Sequence, residues 1–261
     1  NTYNAALAAD NRTLARNAYL TDEDSRGVVI DNQLAGKVQT GSAQHNLLLG
    51  VDYQYLDAHI LYRDTLDYSA PSIDIFNPNH SQIVPEALTF NYQDKKVIRQ
   101  SQTGVYLQDQ VRLDRLVAIG GARYDRYRMD TDSRTLYQGA DSQTLAHLDQ
   151  DNLSFRVGAL YELDGGFSPY ASYAESFEPV PGADKQGQAF KPATGHQWEG
   201  GVKFLSDDMS KTATLSAFHI TKKNALVTDP DNVYGPKLQT GETVSRGIEL
   251  EGRACLLYTS D

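Results

Sequence analysis

Apolar and polar residues alternate one by one along segment after segment of this chain, each segment roughly ten residues long. Between residues 153 and 163, for example, Leu153, Phe155 and Val157 occupy odd positions, whereas Ser154 occupies an even one. A period of two places alternate side chains on opposite faces of a β-strand, so that one face is apolar and the other polar. The pattern therefore predicts an all-β protein built from two-faced strands.

About ten such segments can be distinguished, and several are longer than the roughly 5–6 residues of an ordinary globular strand. Their length matches the approximately 9–11 residues with which a tilted strand crosses a membrane. The predicted strands span residues 13–22, 26–39, 44–62, 95–113, 116–129, 151–163, 168–178, 195–205, 211–224 and 242–253.

Short and long connections alternate between these strands. An up-and-down outer-membrane barrel shows this alternation, because its periplasmic turns are short and its extracellular loops are long, whereas a soluble sandwich mixes loop lengths. Lipid offers no hydrogen bonds, so each membrane strand must pair with its neighbours. The pattern predicts an antiparallel up-and-down transmembrane β-barrel, present here in part. The short connections are 114–115, 164–166 and 206–210, and the long ones are 63–94, 130–150, 179–194 and 225–241.

Composition excludes several other classes of protein. No apolar run approaches the roughly 18–20 residues of a membrane-spanning helix, and the net charge of -10 disfavours a nucleic-acid partner. The single Cys255 and the six scattered histidines match no metal-ligand spacing. The sequence holds none of the common hydrolase, metalloprotease or nucleotide-binding motifs. We therefore expect neither an enzyme nor a bound cofactor or metal.

Five segments carry a more specific pattern: QTGVYLQDQ at 102–110, GGARYD at 120–125, SPYASYAESFEP at 168–179, FKPATGHQWEGGVK at 190–203 and QTGETVSRGIELE at 239–251. In order and spacing they resemble barrel strands of the TonB-dependent ferric-siderophore receptors, in the ferrichrome and ferrioxamine branch. The resemblance covers roughly residues 13–254. The matched family residues are Tyr106, Gln108, Asp109, Tyr173, Glu175, Ser176, Phe177, Glu178, Pro179, Gly247 and Glu249.

The resemblance implies a 22-stranded barrel, closed by an N-terminal plug, in a bacterial outer membrane. Its cargo would be a ferric siderophore, of the hydroxamate type in this branch, and its energy would come from the TonB-ExbB-ExbD complex acting on the plug. We expect residues 1–254 to form a partial barrel of about ten strands, without the plug or the TonB box. We expect the atypical residues 255–261, which contain the only cysteine, to be a non-native tail.

Aromatic residues in the long connections and at the upper lumen are the candidate cargo contacts. Aromatic rings offer flat apolar area, and the tyrosine hydroxyl adds a polar tip, which suits bulky and partly apolar siderophore complexes. Each tyrosine could equally belong to an interfacial aromatic belt. Similarly, Pro179 could form a loop base beside the cargo or simply end a strand. The candidates are Tyr68, Phe76, Phe90, Tyr92, Tyr137 and Tyr234.

Three other functions remain open at this stage. A TonB-dependent receptor for another cargo, such as a cobalamin or a glycan, would have the same barrel strands. An outer-membrane enzyme or adhesin would differ upstream, where it would have no plug. A soluble β-sandwich would be a stable monomer without detergent, whereas a partial barrel would expose apolar strand faces and unpaired edges.

Overall fold

A computed structural model describes residues 7–66, 68–82, 84–231, 237–239 and 241–255 of the chain. Within these ranges the secondary structure is almost entirely β, with short 3-10 turns at Pro85–Ala87 and Asp164–Gly166. None of the helical turns described there has the length and apolar character needed to cross a membrane. The strands are β1 Thr13–Arg16, β2 Tyr19–Thr40, β3 Ala43–Asp64, β4 Ala70–Asp74, β5 Tyr92–Leu113, β6 Leu116–Tyr137, β7 Ala140–Tyr161, β8 Phe167–Glu178, β9 Ala193–Leu205, β10 Lys211–Lys223, β11 Leu226–Val227, β12 Leu238–Gln239 and β13 Glu242–Ala254.

Nine of these strands form one sheet in the order β13-β10-β9-β8-β7-β6-β5-β3-β2. Strands β8, β9, β10 and β13 pair in antiparallel register along their whole length. The short strands form two separate pairs, β1 with β4 and β11 with β12. The order follows the chain, as in an up-and-down meander, and the predicted antiparallel all-β fold is confirmed.

The chain divides into two compact units, which are described separately below. Unit 1 comprises residues 1–28, 55–101 and 129–147, and unit 2 comprises residues 29–54, 102–128 and 148–261, each as far as it is described. Both units draw on the long strands β2, β3, β5, β6 and β7.

The prediction of a long loop at 130–150 is wrong. In unit 1, β6 and β7 continue there as a hairpin that turns at Gln138 and Gly139, both with positive φ (49° and 85°). Two consecutive positive φ values are typical of the tight turns that join twisted strands. The sequence hides this hairpin because both of its faces are polar, as the ion pair between Arg134 and Asp141 illustrates. The predicted strands 13–22 and 26–39 are likewise redistributed into β1 and the longer β2.

Apolar side chains stand exposed at every second position on one face of unit 2. Leu47, Leu49 and Val51 do so on β3, and Ile248 and Leu250 on β13 are each 78% exposed. Water makes such a surface costly, whereas lipid accommodates it, so the alternation is that of membrane strands. The two-faced strands predicted from the sequence are therefore present.

Glycines on the opposite face of unit 2 lie beneath large side chains from neighbouring strands. A Cβ atom added at Gly50 would stand 2.2 Å from the Cζ atom of Tyr106, which is far too close. The side chains that cover these glycines therefore lie along the wall of the sheet instead of standing away from it. The pairs are Gly50 with Tyr106, Gly104 with Arg123, Gly201 with Tyr170, and Gly247 with Phe218.

We expect Gly50→Val to lower the free energy of unfolding of the full-length protein by about 1–2 kcal/mol, because the added side chain displaces the Tyr106 ring. Gly36→Val is the matched control, since no atom lies within 4 Å of a Cβ at that strand position. Thermal unfolding in detergent measures both variants. Equal unfolding temperatures for the two variants would contradict the packing role of Gly50.

Candidate functional site

Four tyrosines from neighbouring strands form a continuous row in unit 1. The Tyr19 ring on β2 stacks on Tyr62 of β3, with 6.0 Å between ring centroids. Tyr62 meets Tyr92 of β5 edge-on at 5.9 Å, and Tyr92 meets Tyr137 of β6 edge-on at 6.2 Å. Such separations and tilts are favourable for aromatic pairs. This tyrosine row lies at the strand ends that adjoin the connection 65–91 and the turn 138–139.

The hydroxyls of the tyrosine row are hydrogen-bonding groups. Tyr62 donates a 2.6 Å hydrogen bond to Oδ2 of Asp64. A tyrosine phenol ordinarily has a pKa of about 10, so it keeps its proton near pH 7 and can donate a hydrogen bond. The row therefore offers flat apolar area together with polar O–H groups.

The outer tyrosines of the row keep surface available for a ligand. Tyr19 is 49% exposed and Tyr137 is 46% exposed. Tyr92 and Tyr137 are among the residues that the sequence predicts as cargo contacts, whereas Tyr19 and Tyr62 were missed. Tyr62 closes the predicted strand 44–62, but Tyr19 lies inside the predicted strand 13–22. Only the observed hairpin of β2 and β3 brings the two rings side by side.

The other predicted contacts do not join the row. Phe90 is half-buried, with the Arg63 guanidinium 5.1 Å from its ring centroid. Tyr68 lies in a turn with a φ of 59°, and its backbone N–H donates to the Asn17 side chain. Phe76 is 75% exposed in the connection after β4. Tyr234 lies outside the described residues.

The family residue Tyr106 belongs to an ionic cluster in unit 2 that is centred on Arg123. The Arg123 guanidinium donates to Asp52 at 2.6 Å and to Asp125 at 2.7 Å. It also lies 5.4 Å from the centroid of the Tyr106 ring, a distance at which a cation is attracted to an aromatic face. The Tyr106 hydroxyl donates to Asp31 at 3.2 Å. Arg123, Tyr106, Asp52 and Asp31 line a recess of about 520 Å³.

Gln108 and Asp109 have different surroundings although they are adjacent. Gln108 lines the same recess as Tyr106. Asp109 interrupts an apolar strand face in the sequence, and His45 of β3 compensates for this with a 2.7 Å contact between Nδ1 and Oδ2. A carboxylate on an apolar face needs such a partner because its desolvation is otherwise costly.

The motif SPYASYAESFEP forms β8 and its end. Tyr173 packs against Trp198 with 4.6 Å between ring centroids, and its hydroxyl donates to Glu175 at 2.6 Å. Ser176 and Phe177 pair with β9 in the backbone ladder, and Glu178 forms an ion pair with Lys222. The strand ends at Glu178, so Pro179 does stand at the end of a strand.

The remaining family residues lie on β13, also in unit 2. Gly247 lies beneath the Phe218 ring, and Glu249 is opposite Ser216 in the ladder. Cys255 is an exposed free thiol, and residues 256–261 of the predicted tail lie outside the described part of the chain. Across the described ranges, no three His, Cys, Asp or Glu side chains are grouped so as to hold a metal ion.

The TonB dependent receptor-like β-barrel family model matches residues 1–259. The Ferrichrome outer membrane transporter/phage receptor of Escherichia coli K12 is 33% identical over 97% of this chain and 33% of its own length. The Ferrioxamine B receptor of Salmonella typhimurium SL1344 is 35% identical over 96% of this chain and 34% of its own length. The Metal-pseudopaline receptor CntO of Pseudomonas aeruginosa UCBPP-PA14 is 33% identical over 95% of this chain and 35% of its own length. The chain thus spans about a third of these curated relatives.

Solved structures share the fold. The siderophore receptor PiuA from Acinetobacter baumannii aligns with a TM-score of 0.69 at 20% identity, over 96% of this chain and 39% of PiuA. FpvA of P. aeruginosa, in complex with heterologous pyoverdines, aligns with a TM-score of 0.70 at 20% identity, over 95% of this chain and 33% of FpvA.

Proposed function

The chain belongs to the TonB-dependent receptors, as part of their β-barrel, and we propose that the whole protein takes up ferric hydroxamate siderophores. The family identity predicted from the motifs is confirmed, and so is the location in a bacterial outer membrane. The family consists of receptors and not of enzymes, in agreement with the sequence-based expectation.

The tyrosine row is the observation that carries the proposal. A ferric hydroxamate complex presents methylene chains and neutral amide groups around an iron whose coordination sphere is already filled. The rings of the four tyrosines can pack on the methylene chains, and the hydroxyls of Tyr19, Tyr92 and Tyr137 can donate to the carbonyl oxygens. In outer-membrane barrels the long connections are extracellular, so a row beside the connection 65–91 is placed to meet cargo from outside.

Charge favours a hydroxamate complex over an anionic one. Asp64 and Asp94 lie close to the tyrosine row, and the chain carries a net charge of -10. Neutral or cationic ferric hydroxamates fit such a surface, whereas a triscatecholate complex carries several negative charges that the carboxylates repel. Two of the curated relatives are named for ferrichrome and ferrioxamine, both of which are hydroxamates.

Family membership is what supports our proposal for the energy source and the plug. We propose that TonB with ExbB and ExbD drives transport through a plug domain seated in the barrel. The relative named for a metal-pseudopaline complex supports a second candidate cargo, a metal complex of another small chelator.

Equilibrium binding to the purified full-length receptor tests the proposed cargo, with quenching of intrinsic fluorescence as the signal. We expect ferrioxamine B or ferrichrome to bind at least about a hundredfold more tightly than a ferric triscatecholate, a difference of roughly 2.7 kcal/mol. The iron-free hydroxamate is the control, because it has the same chemical groups without the compact shape that iron imposes. Tighter binding of the triscatecholate would contradict the proposed cargo class.

A further inference from the structure

The connection from Pro179 to Pro192, here called the 179–192 loop, is attached to β7 through one buried side chain. Gln150 is 7% exposed. Its Nε2 donates to the carbonyl oxygen of Phe190 at 2.7 Å, and its Oε1 accepts from the backbone N–H of Val180 at 3.1 Å. A single amide group thus binds the loop near both of its ends, as the backbone of a neighbouring strand would.

The attachment begins where the ladder between β7 and β8 stops. The register of these two strands ends at Arg156 opposite Ala174. Beyond that point the Glu175 carboxylate accepts the backbone N–H of Phe155 at 2.9 Å. Side chains therefore replace the backbone ladder between β7 and the chain that leaves β8.

A second glutamine joins the 179–192 loop to the next connection. Oε1 of Gln239 accepts a 2.8 Å hydrogen bond from the backbone N–H of Lys191. Its Nε2 donates to the carbonyl oxygen of Lys191 at 2.6 Å and to that of Asn224 at 2.9 Å. The Asn224 side chain in turn donates to the carbonyl oxygen of Pro192 at 3.0 Å. Both flanks of the loop are thus held by amide side chains.

A small core and an ion pair complete the contact between the two connections. Val180, Phe190 and Ala193 are buried together, and Leu226 packs against them. Lys185 forms an ion pair with Asp229, which is only 3% exposed. Separating the two connections would expose this core and the buried Asp229 carboxylate to water. It would also break the hydrogen bonds of Gln239.

We propose that Gln150 and Gln239 are positioning residues that hold the 179–192 loop and residues 224–231 as one preassembled platform, which keeps its arrangement when cargo binds. Leaving a buried hydrogen-bonding group unsatisfied is costly, and several such groups would be exposed at once. The platform therefore contributes a fixed surface at the barrel mouth and does not close as a lid. The identity of the cargo rests on the proposed function, whereas the existence of the platform does not.

Hydrogen exchange of backbone amides in the full-length receptor tests the role of Gln150. Gln150→Leu keeps a similar volume but loses the amide bonds, so amides in 180–190 should exchange roughly ten- to hundredfold faster. Because the platform is one unit, amides in 226–229 should also exchange faster. Gln186→Leu is the matched control, since this glutamine is an exposed residue of the same loop, and its exchange should match the wild type.

Unchanged exchange in Gln150→Leu, or faster exchange confined to 180–190, would overturn the single platform. If Gln150→Leu does not fold, Gln239→Leu carries the same test from the opposite flank of the loop.

A reversible covalent link tests whether the platform opens. Lys185→Cys and Asp229→Cys, in a Cys255→Ser background that removes the exposed native thiol, provide two thiols that a short bis-methanethiosulfonate reagent can link across the space of the replaced ion pair. Ferrioxamine B should bind the linked and reduced forms of this variant within about twofold of each other. Binding that is more than tenfold weaker in the linked form, and restored by reductant, would show a lid and overturn the proposal. If the wild type binds no ferric hydroxamate, the proposed function fails, and the exchange experiment alone then decides the platform.

Discussion

Replacement of Arg123 by methionine is expected to lower the free energy of unfolding of the full-length receptor by about 3 kcal/mol. The substitution leaves Asp52 and Asp125, which are 8% and 4% exposed, without their shared cation. Removing one partner of a buried ion pair costs about 3–5 kcal/mol. We take the lower end of that range, because the Arg123 side chain itself is 33% exposed and solvent screens part of the interaction.

Two further variants separate the ionic cluster from general effects of charge removal. Arg126→Met removes a more exposed guanidinium that pairs with Asp149, and its effect should stay below about 1 kcal/mol. Adding Asp52→Asn and Asp125→Asn to Arg123→Met should recover much of the loss, because neutral amides are less costly to bury than unpaired carboxylates. Thermal unfolding in detergent measures all three proteins. Equal losses for Arg123→Met and Arg126→Met would contradict the central place of Arg123.

Combined replacement of Tyr62 and Tyr92 by alanine is expected to weaken ferric hydroxamate binding roughly a hundredfold. These residues occupy the middle of the tyrosine row, and each has ring neighbours on both sides. Aromatic anchors at the centre of a binding surface typically contribute more than 1 kcal/mol each when truncated. The same fluorescence titration that measures wild-type affinity measures this variant.

The matched control for the tyrosine row is Tyr124→Ala. Tyr124 lies on β6 in unit 2, is 43% exposed, and takes no part in the row. Its replacement should change affinity by no more than about twofold. An affinity loss in Tyr124→Ala equal to that of the double variant would remove the tyrosine row as the cargo site.

The sequence predicts several of the strands with one apolar face well. The predicted strands 168–178, 195–205 and 211–224 agree with β8, β9 and β10 to within two residues at every boundary. A strand with one apolar and one polar face shows its period in the sequence. The hairpin around Gln138 and Gly139 was missed because both of its faces are polar, so that no apolar period marks it.

The candidate site could be predicted only in part. Tyr92 and Tyr137 stay predictions, made because aromatic residues of predicted long connections suit cargo, although Tyr137 in fact ends β6 at a tight turn. Ring contacts across strands add Tyr19 and Tyr62 to the same row. The ionic cluster joins residues far apart in the chain, since Arg123 and Asp52 are 71 positions apart. Alternation assigns each residue to a face of its own strand, but it does not set the register between strands, on which such contacts depend.

Uptake of radiolabelled iron by an iron-starved bacterial strain tests the central claim most directly. The strain lacks its own hydroxamate receptors and expresses the full-length gene, with and without a functional TonB. We expect iron from ferrioxamine B or ferrichrome to enter only when both the receptor and TonB are present. If neither complex is taken up while the protein is demonstrably in the outer membrane, the assignment as a ferric hydroxamate receptor is contradicted.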